Sequence, residues 1–249
     1  VITPISYDHL EILGETLSEI AFEKAGAMKK DVICISAYQN SVVKMVLVKQ
    51  AGNKGTPIHF LNGVKSLEFD INIPGKTQKE NALLAIATLG QLPKFSISKD
   101  AIRKGLQTVN WFGRNQLLQK NPLVIFDVAH NVESLRSFIE YYKSLNILSD
   151  SVLVIALQAR KRIRPLITRI QSIFLHIICT DAGGRHPMGL ETLRAHFNDE
   201  HHAIIIENPM EAIRFGLKSL TPSGGMAIVG SHCLGPAVSS VFKISFDKF

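Results

Sequence analysis

The sequence predicts an α/β protein whose second half is a mostly parallel, helix-covered sheet. Between residues 123 and 231 five short apolar runs, LVIFD, SVLVIAL, HIICT, AIIIE and GMAIVGS, alternate with segments of helical period. That is the pattern of strands joined by crossover helices. The composition, 46% hydrophobic and 20% charged over 249 residues, leaves ample apolar surface for ordinary cores. A change of style near residue 109 divides the chain into an expected first domain, 1–109, and a complete smaller domain, 110–249.

From the N-terminus, VITPISYDH reads as extended chain, with neither the basic flank nor the apolar region of a signal peptide. It lacks Met and opens inside what reads as a strand, so further sequence is expected upstream. In YDHLEILGETLSEIAFEKAG, Thr16 and Glu19 fit a capping box, and Gly26 is placed for a left-handed helix end. Leu17, Ile20, Ala21 and Lys24 share one face at i, i+3, i+4 and i+7. A lysine there either snorkels to water or is deprotonated and used. DVICIS (31–36) and IHF (58–60) read as strands, and residues 40–51 fit helix or strand. Residues 66–75 read as extended chain ending in a Pro-Gly turn. KTQKENALLAIATLGQL and the Ser-capped SKDAIRKGLQTV read as helices.

WFGRNQLLQKNPLVIFDVAHN predicts two strands around an Asn-Pro turn, the second ending at Asp127. Helices are then expected over 132–145, over the basic RIRPLITRIQSIF, over 189–198 and over 209–219, each between strands. Ligands of such sheets bind at the carboxyl ends of strands, here Asp127–Asn131, Gln158, Thr180–Asp181, Glu207–Asn208 and Ser231–His232.

A net charge of +7 suits anionic small molecules. No basic stripe interleaved with aromatics supports a nucleic-acid partner, and no apolar run approaches a membrane span. Cys34, Cys179 and Cys233 are scattered without metal spacing, as expected of a reducing, cytoplasmic compartment.

Three clusters could carry chemistry: Asp8-His9 with Lys24; Gln78 to Ala82 at the head of an apolar helix; and WFGRNQ with FDVAHN, which supplies Arg114, Asp127, His130 and Asn131. Taken singly, each has a bland reading. Asn81 fits a first helical turn, Arg114 a surface charge, and DxxHN a helix cap.

Their order and spacing together resemble the folylpolyglutamate synthases and bifunctional dihydrofolate synthases of the Mur ligase superfamily. DHLEILGETLSEIAFEKAG matches that family's DH-x-x-x-LG-x-T-x-x-x-IA-x-x-KAG at each stated position. QKENA matches Q-x-x-NA, WFGRNQ matches W-x-GR-x-Q, and GSHCL matches GS-x-x-L. DVAHN follows D-G-AHN with Val128 where glycine is usual. The resemblance implies that 1–109 is the tail of a P-loop-type ATPase domain and that 110–249 is a Rossmann-like Mur ligase C-terminal domain.

It implies ATP-dependent addition of L-glutamate to a folate, or to dihydropteroate, through an acyl phosphate, by a monomer. It also implies roles. His9 would bind Mg²⁺. Lys24 would do so as a carbamate, an anionic oxygen ligand suited to a hard cation. Gln78 and Asn81 would lie by the adenine, and Arg114 would reach the phosphates. Asp127, His130 and Asn131 would complete the nucleotide and glutamate site, with Ser231 at the glutamate end. Lys24, Arg114, Asp127 and His130 would be the catalytic set.

Departures stand beside these matches. No G-x-x-x-x-G-K-[ST] loop occurs, and GNKG (52–55), read as a loop, does not replace it. Gln158-Ala159-Arg160-Lys161 stands where an Asp-Lys-Asp type segment is usual, and GGRHPMG where an Arg-Ala pair is usual. The stretch between IHF and IPG is short. A non-catalytic nucleotide-binding relative and an amino-acid-adding Mur ligase are the alternatives.

Overall fold

The computed structural model describes residues 1–62, 67–147, 150–161, 163–197 and 203–245. Ser66, Arg162 and Asn198, the ends of three expected segments, lie outside these. The chain forms two compact units, Val1–Asn72 with Lys76–Val109, and Ile73–Gly75 with Asn110–Phe249.

In the first unit, α1 (Leu10–Leu13) and α2 (Leu17–Lys24) are separate helices. They are broken at Gly14, whose φ is +104°. The Thr16/Glu19 capping box forms: Glu19 N–H donates to the Thr16 hydroxyl and Thr16 N–H to the Glu19 carboxylate. The helix does not end at Gly26 in a left-handed cap. Its cap is Ala25, in right-handed geometry, and a 3₁₀ turn over Ala25–Ala27 continues it.

Strands β1 (Cys34–Ser36) and β2 (Ile58–Phe60) pair in parallel, and Ile2 bridges to Ser36. The buried Gln39 carboxamide donates to Thr3 O and accepts from Ile5 N–H, tying down the first residues. Between the strands runs α3 (Ser41–Lys54), so residues 52–54 of GNKG are helical and Gly55 is the left-handed cap. Its Val43, Leu47 and Ala51 are buried, yet Val42, Met45 and Val48 on its other sides are exposed. Helices α4 (Lys76–Leu89) and α5 (Lys99–Thr108) follow, the latter capped by Ser98.

The second unit is a six-stranded sheet: β3 (Gln116–Gln119), β4 (Leu123–Asp127), β5 (Ser151–Ile155), β6 (His176–Cys179), β7 (Ala203–Ile205) and β8 (Gly225–Val229). Its order is β3-β4-β8-β5-β6-β7. All neighbours are parallel except the β3–β4 hairpin, which turns at a cis Asn121–Pro122 bond. The α/β, mostly parallel expectation holds.

Both sheet faces are covered, as parallel sheets require. Alternation decides which residue serves which face. Ile125, Leu153 and Ile155 pack against Leu135, Phe138, Ile139 and Tyr142 of α6 (Val132–Ser144). Val124, Phe126, Val152 and Val154 pack with Ala212 and Ile213 of α9 (Pro209–Lys218) and Val238 of α10 (Gly235–Phe242). The expected basic helix is short. A 3₁₀ turn over Arg164–Leu166 leads into α7 (Ile167–Gln171), because Pro165 donates no N–H and so can only begin a helix. The helix α8 (Leu190–Arg194) is likewise one turn.

A two-stranded sheet is marginal on its own, whereas a strand flanked on both sides and both faces is not. Native-state hydrogen exchange of this 249-residue chain should therefore show the β1 and β2 amides exchanging at least about a hundredfold faster than those of β5 and β8. Equal protection would contradict the packing described.

Candidate functional site

Asp127 ends β4 at the carboxyl edge of the second unit's sheet. Its carboxylate is buried, 6% exposed, and both oxygens are held. Asn115 N–H donates to Oδ2 at 2.7 Å and Ala129 N–H to Oδ1 at 2.7 Å. Such bonds favour the ionised form, as does the nearby Arg114 guanidinium, but burial outweighs them and pushes the carboxyl up to about 6.

The loop that reaches Asp127 is set by two residues in left-handed geometry, Gly113 at φ +67° and Asn115 at φ +45°. Gly113 N–H donates to Gln116 Oε1 at 2.9 Å, and Gly113 O accepts from Val128 N–H at 3.0 Å. A Cβ on Gly113 would come within 2.6 Å of Val128 Cγ1. Val128, buried where glycine is usual, thus leans on the glycine of WFGRNQ. Asn115 is buried too, its Nδ2 donating to Pro74 O at 2.8 Å while its Oδ1 has no partner.

Beyond Asp127 the chain enters α6. Asn131 is the N-cap: its carboxamide oxygen accepts from Ser134 N–H at 2.9 Å, and the Ser134 hydroxyl reaches back to accept from Asn131 N–H. The capping reading of DxxHN is therefore the one Asn131 fulfils. His130 is oriented by a 2.9 Å bond between its Nδ1 and Val128 O. On the neighbouring strand, Val229 is the register partner of Asp127.

Gly230 follows at φ +114°, where a Cβ would lie 2.0 Å from Ala156 O, so only glycine makes this turn. Ser231 is buried, and its hydroxyl accepts from Cys233 N–H at 3.1 Å, capping a short 3₁₀ turn. His232 opens that turn with its ring centroid 6.4 Å from that of His130. Burial, then Arg114 and His130, push the His232 imidazole below its ordinary value.

The structure thus brings Arg114, Asp127, His130, Asn131 and Ser231 to one edge of one unit. Asn115 joins them, as do His232 and Gln158, two of the expected strand ends. Asn115 and His232 occupy unspecified positions of the motifs. Gln158, just after β5, clamps the loop after β6 by donating to Gly183 O at 2.7 Å and accepting from His186 N–H.

In the first unit Gln78 and Asn81 lie half-buried on the first turns of α4, Asn81 Nδ2 donating to Gln78 Oε1 at 3.4 Å. His9 is exposed at φ +51° beside Asp8, 3.9 Å away. Lys24, the last residue of α2, is exposed, not on a buried face. Its periodicity is right, but the buried stripe runs from Ile20 and Ala21 on through Ala25 to Met28 and leaves Lys24 to one side. Among the described residues no group of three His, Cys, Asp or Glu is placed to hold a metal. No described helix is long and apolar enough to cross a membrane.

Residues 113–232, most of the second unit, match the family model of the Mur ligase, glutamate ligase domain. More narrowly, the chain is similar to folylpolyglutamate and dihydrofolate synthases, as its motifs suggested. It is 29% identical over 198 residues to the dihydrofolate synthase/folylpolyglutamate synthase of Bacillus subtilis, covering 70% of this chain and 46% of that relative. The fold matches folylpolyglutamate synthase from Mycobacterium tuberculosis, solved with ADP and AMPPCP, at a TM-score of 0.85 and 20% identity, over 98% of this chain and 63% of that one. The bifunctional enzyme of Yersinia pestis, solved with AMPPNP and a Mn ion, matches at 0.80 and 20% identity, over 97% and 60%. The chain therefore spans between about half and under two thirds of the proteins it matches.

Two consequences can be measured. Asp127 has a folded pKa above its unfolded value of 3.8. The folded state thus binds more protons between about pH 4 and 6, and stability falls as pH rises through that window. The contribution is about 3 kcal/mol at most. Urea denaturation followed at Trp111 should show this component in the parent protein and lose it in Asp127→Asn. Gly113→Ala should cost about 1–3 kcal/mol. Adding Val128→Gly should return the steric part of that loss; a double variant no more stable than Gly113→Ala would place the clash elsewhere.

Proposed function

We propose that this chain supplies the glutamate-ligase portion of an ATP-dependent folate:glutamate ligase acting through an acyl phosphate. The observation that carries the proposal is the Asp127 edge. A buried carboxylate, a guanidinium and oriented imidazoles stand at the carboxyl end of a parallel sheet, in a domain of the Mur glutamate ligase family. The nucleotides named with the solved neighbours, and the folate and glutamate chemistry in the relatives' names, supply the substrates.

In this reading ATP provides the phosphoryl group that activates a glutamyl or pteroate carboxylate, and phosphate is displaced by the amine of L-glutamate. The chain's own residues place and neutralise charge. Arg114 offers a planar, permanently cationic donor set to phosphate oxygens. Asp127 fixes Asn115 and Ala129, and so the two loops that flank the site. The oriented His130 and the capped Ser231 line the same edge, and Asn131 starts α6 there. Electrostatic positioning of this kind is the principal demand of phosphoryl and acyl transfer. Gln78 and Asn81 are assigned to the nucleotide base, and His9 with carbamylated Lys24 to Mg²⁺. The Mg²⁺ assignment rests on the motif resemblance alone, since Lys24 is exposed.

The test is ATP- and glutamate-dependent ligation on dihydropteroate and on tetrahydrofolate, using the complete coding region. Arg114→Ala should slow acyl phosphate formation by about 10²–10³-fold while circular dichroism stays unchanged. Lys24→Ala should lose ligation and regain part of it with added small carboxylates. Wild-type turnover in Arg114→Ala would remove the charge-neutralising role. Turnover without ATP would remove the reading as a whole.

A further inference from the structure

We propose that His232, with His130 and Arg114, forms a proton-linked oxyanion site across the ends of β4 and β8, so that binding a phosphate or carboxylate group charges His232. The ligase motif leaves this position open: in GSHCL only Gly230, Ser231 and Leu234 are specified.

The geometry comes from the sheet. Asp127 and Val229 are register partners on adjacent parallel strands, and His130 and His232 each stand three residues further along. The two rings therefore leave the sheet at one level, 6.4 Å apart between centroids and tilted by 52°. That separation leaves room for an oxyanion to accept from both rings rather than for the rings to stack. Both are held. His130 Nδ1 is bonded to Val128 O, which turns Nε2 away from the strand. His232 is fixed by the strained turn at Gly230 and by the Ser231 cap.

The charged groups facing His232 are Arg114 from the segment before β3 and His130 from the β4–α6 loop. Asp127, below them, is spent on two backbone N–H groups. The loop after β6, which approaches Cys233, carries Asp181, engaged by Gly183 N–H. Three cation-capable side chains thus share an edge whose nearest carboxylates are committed elsewhere. Burial first, and then repulsion from Arg114 and His130, disfavours the charged imidazole at His232, and an entering oxyanion offsets the repulsion. Linkage then requires proton uptake on binding and tighter binding as pH falls.

The inference uses the ligase reading only to choose probes. The experiment uses this 249-residue chain: histidine Cε1–H NMR titration between about pH 5 and 8, alone, with pyrophosphate, and with L-glutamate, His232→Gln assigning the resonance. The His232 midpoint should start below the ordinary 6.5 and rise by about one unit with a probe, equivalent to roughly tenfold tighter binding of its protonated form. Calorimetry in buffers of different ionisation enthalpy should show proton uptake that His232→Gln reduces. Phosphoryl recognition follows if pyrophosphate alone moves the midpoint, carboxylate recognition if L-glutamate alone does, and a general oxyanion site if both do. A midpoint that neither probe moves, or proton uptake unchanged in His232→Gln, overturns the proposal. Failure of the ligation assay with the complete gene would leave this result standing.

Discussion

The interaction on which the second unit's chemistry depends is the pair of 2.7 Å bonds from Asn115 and Ala129 N–H to the buried Asp127 carboxylate. It is made at the one place where three segments meet: the loop before β3, the end of β4 and the approach to α6. An acid there is costly, because the helix-covered sheet that buries it removes its water. The two N–H donors repay part of that cost, and Asn115 must adopt left-handed backbone geometry at φ +45° to supply one of them. Gly113, packed against Val128, makes the same turn possible. Arg114, between these two unusual residues, is therefore fixed in backbone position by the carboxylate, and His130 by the carbonyl next to it.

The two units differ in how completely their elements are partnered. In the second, β5 is buried along its length, and Ile155 and Val154 point to separate cores on opposite faces. In the first, β1 and β2 have three paired residues each, and α3 is apolar on sides that bury nothing. Val42, Met45 and Val48 are its exposed apolar residues. The solved neighbours are longer than the part that superimposes here.

Much of this was legible in residues. The strand runs, the Asn-Pro hairpin, the Thr16/Glu19 box and the Ser98 cap follow from local chemistry that tertiary context did not override. Lys24 did not. A helical wheel shows which side chains share a face but not which edge of that face the neighbouring element covers, and the core behind α2 runs on through Ala21, Ala25 and Met28, leaving Lys24 beside it. Gly26 was misjudged for a related reason: a 3₁₀ turn satisfies the helix end without a left-handed residue. GNKG looked like a loop because of its glycines, yet α3 runs through Gly52 to a cap at Gly55. At the site, Asp127, His130 and Asn131 are readable as a group, whereas His232 is legible only as a strand end and Asn115 not at all. Their importance comes from the register of β4 with β8 and from a left-handed turn, and neither leaves a mark in the spacing.

The account stands most directly on the balance at Asp127 between burial and the groups that hold its charge. Carbonyl-detected NMR of the side-chain carboxyl, titrated in the native chain, measures that balance at the atom concerned. A midpoint near 6 is the predicted result. A midpoint at or below 3.8 would show a carboxylate governed by its donors and by water, and would contradict the buried site described.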